Sequence, residues 1–253
     1  MQLGTDNGVT LHVQELGSGP PVVMIHGLFG NLATWYFTAA TELAKNHRVI
    51  VYDLRGHGKS ARTPRGYDVA SMARDLDAVV EGVVREDAVL VGHSYGGLIA
   101  LAFALRCRER VRKVVLVETP LPPLDTGELW SRYTQVAAHD TAAMLASLPS
   151  AVREALVRGG RRADRFLDTV RFLSIESSLR DDLARAEMSD AALATLTCPL
   201  LAVYGTTSSV RPSGERAARV VPGARYVEIE GGHDLPQEAS APLTRELVRF
   251  IDG

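Results

Sequence analysis

Cysteine is scarce in this chain. Cys107 and Cys198 are the only two in 253 residues, far apart and in neither C-x-x-C nor metal-ligand spacing. No disulfide framework is implied, and a reducing, cytoplasmic setting is expected. Long apolar runs are also missing, since none approaches the ~18 residues of a membrane-spanning helix. The opening MQLGTDNGVT lacks the basic-then-apolar pattern of a secretion signal. Neither sign of charge dominates: 28 Lys and Arg stand against 30 Asp and Glu, a net charge of -2. That balance argues against nucleic acid or an anionic membrane as partner. Lysine is confined to Lys45, Lys59 and Lys113, with arginine in its place, a ratio that points to genomic base composition rather than function. Internal repeats and low-complexity tracts are absent.

What remains is an ordinary globular composition, 46% hydrophobic and 23% charged, enough for one domain with a sizeable core. Short β-branched runs recur: PVVMIHG from Pro21, RVIVYD from Arg48, AVLVGH from Ala88, VRKVVLVE from Val111 and PLLAVYG from Pro199. Continuous apolar runs of that length suit parallel strands buried on both faces. VTLHVQEL from Val9 alternates and reads as a half-exposed strand, and RYVEIEG from Arg225 reads as the last one. Helical patterns lie between them. YDVASMARDLDAVVEGVV carries a stripe from Val69 to Val83, YGGLIALAFALRC is apolar almost all round, and PLTRELVRFI closes the chain. The alternation predicts an α/β fold, a mostly parallel sheet of eight-stranded type flanked by helices. One segment breaks it. Residues 119–197 carry helical patterns without a convincing strand and are expected to form a helical cap over a core of residues 1–118 and 198–253. A cap over the carboxyl ends of the strands encloses a pocket where open α/β sheets bind ligands. Phe29, Trp130, Tyr133 and Ser208 are candidates for its lining.

Chemistry concentrates in three places. In AVLVGHSYGG a buried strand ends in Gly92-His93-Ser94-Tyr95-Gly96 and a helix follows at once, the strand–turn–helix context of a G-x-S-x-G nucleophile elbow. Ser94 is presented at the helix N-terminus, where developing negative charge is favoured. A tetrahedral intermediate needs two N–H groups aimed at its oxygen. Tyr95 supplies one, and Leu28, in the MIHGLFG loop after an earlier strand, the other. His26 and His93 read as braces of these loops. A base must follow the nucleophile on this scaffold. Of seven histidines only His139 and His233 do, and His233 sits in EGGHDLP, between the last strand and the last helix. Gly58-Lys59-Ser60 resembles the tail of a P-loop, but Asp53 stands where that motif needs glycine.

With these pieces in place the sequence resembles the α/β-hydrolase superfamily. The resemblance rests on HGLFGNLATW, VYDLRGHGKSARTP, VGHSYGGLIALAFALRCRERVRKVVLVE, CPLLAVYG and EGGHDLP, and spans nearly the whole chain except the cap. It implies that Asp53 braces loops below the site. A serine at 94 argues against the branches whose nucleophile is a carboxylate. The resemblance also implies an acid in the loop after CPLLAVYG, where this chain has Gly205, Thr206, Thr207 and Ser208. Ser208 can accept a hydrogen bond from an imidazole but carries no charge.

Glu118 is the replacement candidate. It ends the apolar strand KVVLVE at the carboxyl edge of the sheet, and a carboxylate there needs a partner. Some branches, including small esterases that open HGLFG, resemble this layout. A dyad without a carboxylate, or an acid elsewhere, is the alternative. The expected function is hydrolysis of a carboxylic ester or thioester of a small, partly apolar substrate, carrier- or CoA-linked substrates included, through an acyl-enzyme. No metal or organic cofactor is required, and a monomer or homodimer is expected. Alternatives are C–C hydrolysis, lactone opening or closure, acyl transfer, elimination, or ligand capture with little turnover on the same scaffold.

Overall fold

The computed structural model describes residues 1–123 and 160–253. Trp130 and Tyr133 lie outside the described residues. Eight strands form one sheet in the order β1-β2-β4-β3-β5-β6-β7-β8. They are β1 (Gln2–Gly4), β2 (Thr10–Leu16), β3 (Pro21–Ile25), β4 (Arg48–Tyr52), β5 (Ala88–His93), β6 (Val111–Val117), β7 (Leu200–Gly205) and β8 (Arg225–Ile229). β1 and β2 pair antiparallel to their neighbours, and every other pairing is parallel. The five apolar runs are the central parallel strands, buried on both faces as their composition requires.

Helices cover the two faces separately. On one, α1 (Ala33–Tyr36), α2 (Ala39–Leu43) and the C-terminal helix Ser240–Asp252 pack through Trp35, Leu43, Leu243 and Leu247 against Met24, Val91 and Val203. On the other, α3 (Val69–Val79) and α4 (Tyr95–Arg106) pack through Leu76, Leu98 and Phe103 against Ile25, Leu90 and Leu116. Asp68 caps α3 by accepting the Ser71 N–H at 2.8 Å. The chain leaves β3 toward one face and β5 toward the other. These adjacent strands form the switch point of the sheet, and a crevice opens there at their carboxyl ends.

Within the predicted cap segment, the described residues form helices at Arg161–Arg171, Leu179–Ala184 and Asp190–Leu193, with no strand among them. They dock on the loop after β4: Asp182 accepts the Tyr67 N–H at 3.1 Å, and the Ser178 N–H donates to the Pro64 carbonyl at 2.8 Å. Both crossings between this segment and the core meet one side chain. Arg216, on the helix Arg211–Val220, donates to the Pro122 carbonyl on the outward crossing. On the return it bonds the Met188 carbonyl at 2.6 Å and Asp190 at 2.7 Å.

Close approach at the start of α4 requires glycine. A Cβ on Gly97 would stand 1.8 Å from Thr119 Oγ1, and one on Gly92 would stand 2.4 Å from the Gly96 carbonyl oxygen. Gly97→Ala is therefore expected to lower stability by about 1–3 kcal/mol despite the better helix propensity of alanine. Urea unfolding checks this, and Thr119→Ala in the same chain should recover part of the loss. An unchanged midpoint for Gly97→Ala would contradict the close packing.

Candidate active site

Five loops at the carboxyl ends of β3, β5, β6, β7 and β8 bring the described site residues together. Ser94 lies between β5 and α4 at φ 52° and ψ -122°, backbone that a non-glycine residue adopts only under constraint. The constraint is visible: its N–H donates to the Val117 carbonyl at 2.8 Å, and its own carbonyl accepts the Gly97 N–H at 3.0 Å. The loop after β3 abuts it, since a Cβ on Gly27 would lie 2.9 Å from Ser94 Cβ.

His233 stands between the other two predicted side chains. Its Nε2 is 3.0 Å from Ser94 Oγ and its Nδ1 is 3.3 Å from Glu118 Oε2. The ring is partly open to solvent, whereas Glu118 has no exposed surface. β6 ends one residue earlier than expected, at Val117, and Glu118 turns out of it at φ 53°. Its N–H donates to the Val203 carbonyl at 3.0 Å. The carboxylate also accepts the Gly205 N–H on Oε1 and the Ser208 hydroxyl on Oε2. Ser208 therefore does not bridge to His233 in this structure. It holds the carboxylate that faces the imidazole. Nothing in the sequence marks the Gly205 N–H, because a backbone donor has no residue signature.

Among the described residues, no acceptor takes the Leu28 or the Tyr95 N–H. Leu28 lies in the turn after β3 and Tyr95 is the first residue of α4. The Tyr95 side chain points into the core, where its hydroxyl donates to the Tyr67 carbonyl. Phe29 is also buried, in an apolar cluster that joins the sheet, α3 and α4 to Val170 and Leu173 of the predicted cap segment. Asp53 braces loops as the resemblance implied, accepting the Leu32 N–H at 2.7 Å and the Lys59 N–H at 2.9 Å.

A model of the α/β hydrolase fold family matches residues 20–157 of the chain. The chain belongs to this α/β-hydrolase family. Among the relatives of this hydrolase is the 2-(acetamidomethylene)succinate hydrolase of Mesorhizobium japonicum, 28% identical over 97% of this chain and 92% of that one. A thermophilic esterase from Thermogutta terrifontis superposes with a TM-score of 0.81 at 25% identity, covering 100% of this chain and 97% of that one. The enol-lactonase of Burkholderia xenovorans, at 24% identity and a TM-score of 0.80 over 100% of both chains, shares the fold. Among the described residues, no helix of the hydrolase is long and apolar enough to cross a membrane.

Three further histidines surround the row and are held neutral. Burial pushes His26 down to about 4. Burial, then neighbouring His26, takes His57 to about 3, and burial, then neighbouring His233, takes His93 to about 3. His93 Nε2 donates to the His233 carbonyl at 2.9 Å, so it steadies the loop that carries His233. All three titrate near 6.5 once unfolded. Between pH 6.5 and about 4 the unfolded chain thus binds protons that the folded hydrolase refuses. Stability from these groups is complete above pH 6.5 and falls as the pH drops through this window. The expected slope approaches three protons, about 4 kcal/mol per pH unit. Urea unfolding at pH 7, 6 and 5 tests it, with His57→Gln flattening the slope by about one proton. A slope below one proton in the unaltered protein would refute the assignment.

Proposed function

We propose that this hydrolase cleaves a carboxylic ester or thioester of a small, partly apolar substrate through an acyl-enzyme. The observation that carries the reading is one imidazole poised between a hydroxyl and a buried carboxylate, His233 Nε2 at 3.0 Å from Ser94 Oγ and Nδ1 at 3.3 Å from Glu118 Oε2. Ser94 Oγ attacks the acyl carbon while His233 takes its proton. Oxygen charge develops toward the Leu28 and Tyr95 N–H groups. His233 returns the proton to the departing alcohol or thiol. Water, deprotonated by the same ring, then releases the acid and restores the Ser94 hydroxyl. Glu118 fixes the imidazole with its proton on Nδ1 and stabilises the cation formed during proton transfer. We propose that residues 119–197 roof this site and that Trp130, Tyr133 and Phe29 bound the acyl pocket.

A graded series of p-nitrophenyl esters and acyl thioesters, with lactones beside them, tests the reaction. Ser94→Ala is expected to lower kcat by about 10⁴-fold or more, and Glu118→Gln by about 10²–10⁴-fold. Ser208→Ala removes one hydrogen bond to a charged group and should cost about tenfold. Full activity in Glu118→Gln would eliminate the carboxylate from the mechanism. Wild type no faster than Ser94→Ala on every ester and thioester would sink the hydrolytic reading and favour ligand capture.

A further inference from the structure

His57 is buried and lies outside the row of Ser94, His233 and Glu118. With His26 it ties the loop after β3 to the segment after β4. His26 Nε2 accepts the Leu54 N–H at 3.0 Å, so the ring proton sits on Nδ1 and is donated to the Gly27 carbonyl at 2.7 Å. His57 runs the opposite way. Its Nε2 accepts the Phe29 N–H at 3.0 Å and its Nδ1–H donates to the Arg55 carbonyl at 2.8 Å. The rings meet edge to face at 5.3 Å. The far end of this brace is rigid, because the Arg55 guanidinium grips the buried Asp75 carboxylate at 2.5 and 2.6 Å.

These bonds, with the Gly30 N–H that also donates to the Gly27 carbonyl at 3.3 Å, set where the Leu28 N–H points. It shares a planar peptide unit with the Gly27 carbonyl, and in a trans peptide the two groups face opposite ways. The carbonyl turned to His26 leaves the N–H turned away from it. The next unit is inverted, with its N–H turned to His57. Phe29 reaches that inversion at φ 62°, a conformation costly for a side chain larger than glycine. An apolar residue at 57 fills the space but removes the acceptor that His57 Nε2 gives the Phe29 N–H, which loosens the hold on the peptide unit it belongs to. Rotation there moves Leu28.

We infer that His57 is a positioning residue for the oxyanion contact: its Nε2, through the Phe29 N–H, holds the turn that aims the Leu28 N–H at the substrate oxygen. The inference rests on the oxyanion reading of Leu28 given above. A neutral ring is essential to it, since a second ring proton would oppose the Phe29 donor.

His57→Gln retains an acceptor, His57→Leu retains volume alone, and His57→Asn is polar but too short to reach Phe29. Two readouts apply: kcat and KM on a p-nitrophenyl ester, and ¹⁹F NMR affinity for a trifluoromethyl ketone. Ser94 Oγ adds to that ketone carbon, its proton passes to His233, and the carbonyl oxygen becomes the oxyanion. Outright loss of an oxyanion donor costs about 10²–10³-fold, and a misaimed one should cost less. His57→Leu is expected to lower kcat by about 30-fold with KM within about threefold, and to weaken the ketone by the same factor. His57→Gln should stay within about fivefold of wild type in both. If His57→Leu does not fold, His57→Asn carries the expectation of the leucine variant. A folded Leu or Asn variant within about threefold of wild type in ketone affinity overturns the inference. So does a Gln variant that falls as far as the others. Failure of the hydrolytic reading looks different: no ester turnover dependent on Ser94, while ketone affinity still reports on position 57.

Discussion

Glu118 places a carboxylate with no exposed surface among the Gly205 amide, the Ser208 hydroxyl and the His233 ring. A buried carboxylate persists only with its oxygens occupied, so each donor must stay in place for the others to stay. That requirement couples three loops. The turn after β6 supplies the carboxylate, the last residue of β7 and the loop after it supply one donor each, and the loop after β8 supplies the imidazole. The Thr207 N–H and the Thr206 N–H bind the Gly231 and Ile229 carbonyls at 3.0 and 2.9 Å, lacing the last two loops together. The distance from His233 to Ser94 is therefore set by the packing of parallel strands, not by the long reach of one flexible loop.

Much of this was legible in the residues. Strands buried on both faces must be apolar throughout, so the central five stood out and their ends fell within two residues of expectation. Gly92, Ser94 and Gly96 announced the elbow because only small residues fit where α4 presses on β3 and β5. Glu118 was legible for the reason it is useful, as a charge at the end of an apolar run. Other features left no trace. β1 has three residues at the sheet edge, too few for any period. The stripe on α3 runs unbroken into Val80–Val84, which winds as a π-helix, because apolar spacing does not separate the two helices over one turn. Ser208 was legible as a site residue but not in its direction: a hydroxyl donates as readily as it accepts, and the partner is chosen by the fold. His57 offered no signal, since its value lies in the backbone groups it joins.

Arg216 holds the Pro122 carbonyl on one crossing and the Met188 carbonyl and Asp190 on the other, from a helix of the core. The core thus has a socket: this guanidinium spans both crossings, and beside it Ser213 accepts the Leu121 N–H at 2.9 Å and Tyr204 donates to the Thr119 carbonyl at 2.6 Å. The Glu118 carboxylate takes its donors from Gly205, Ser208 and His233, all on the core side of those crossings. The acid is thereby anchored in the sheet, independent of any donor from the described part of the inserted segment.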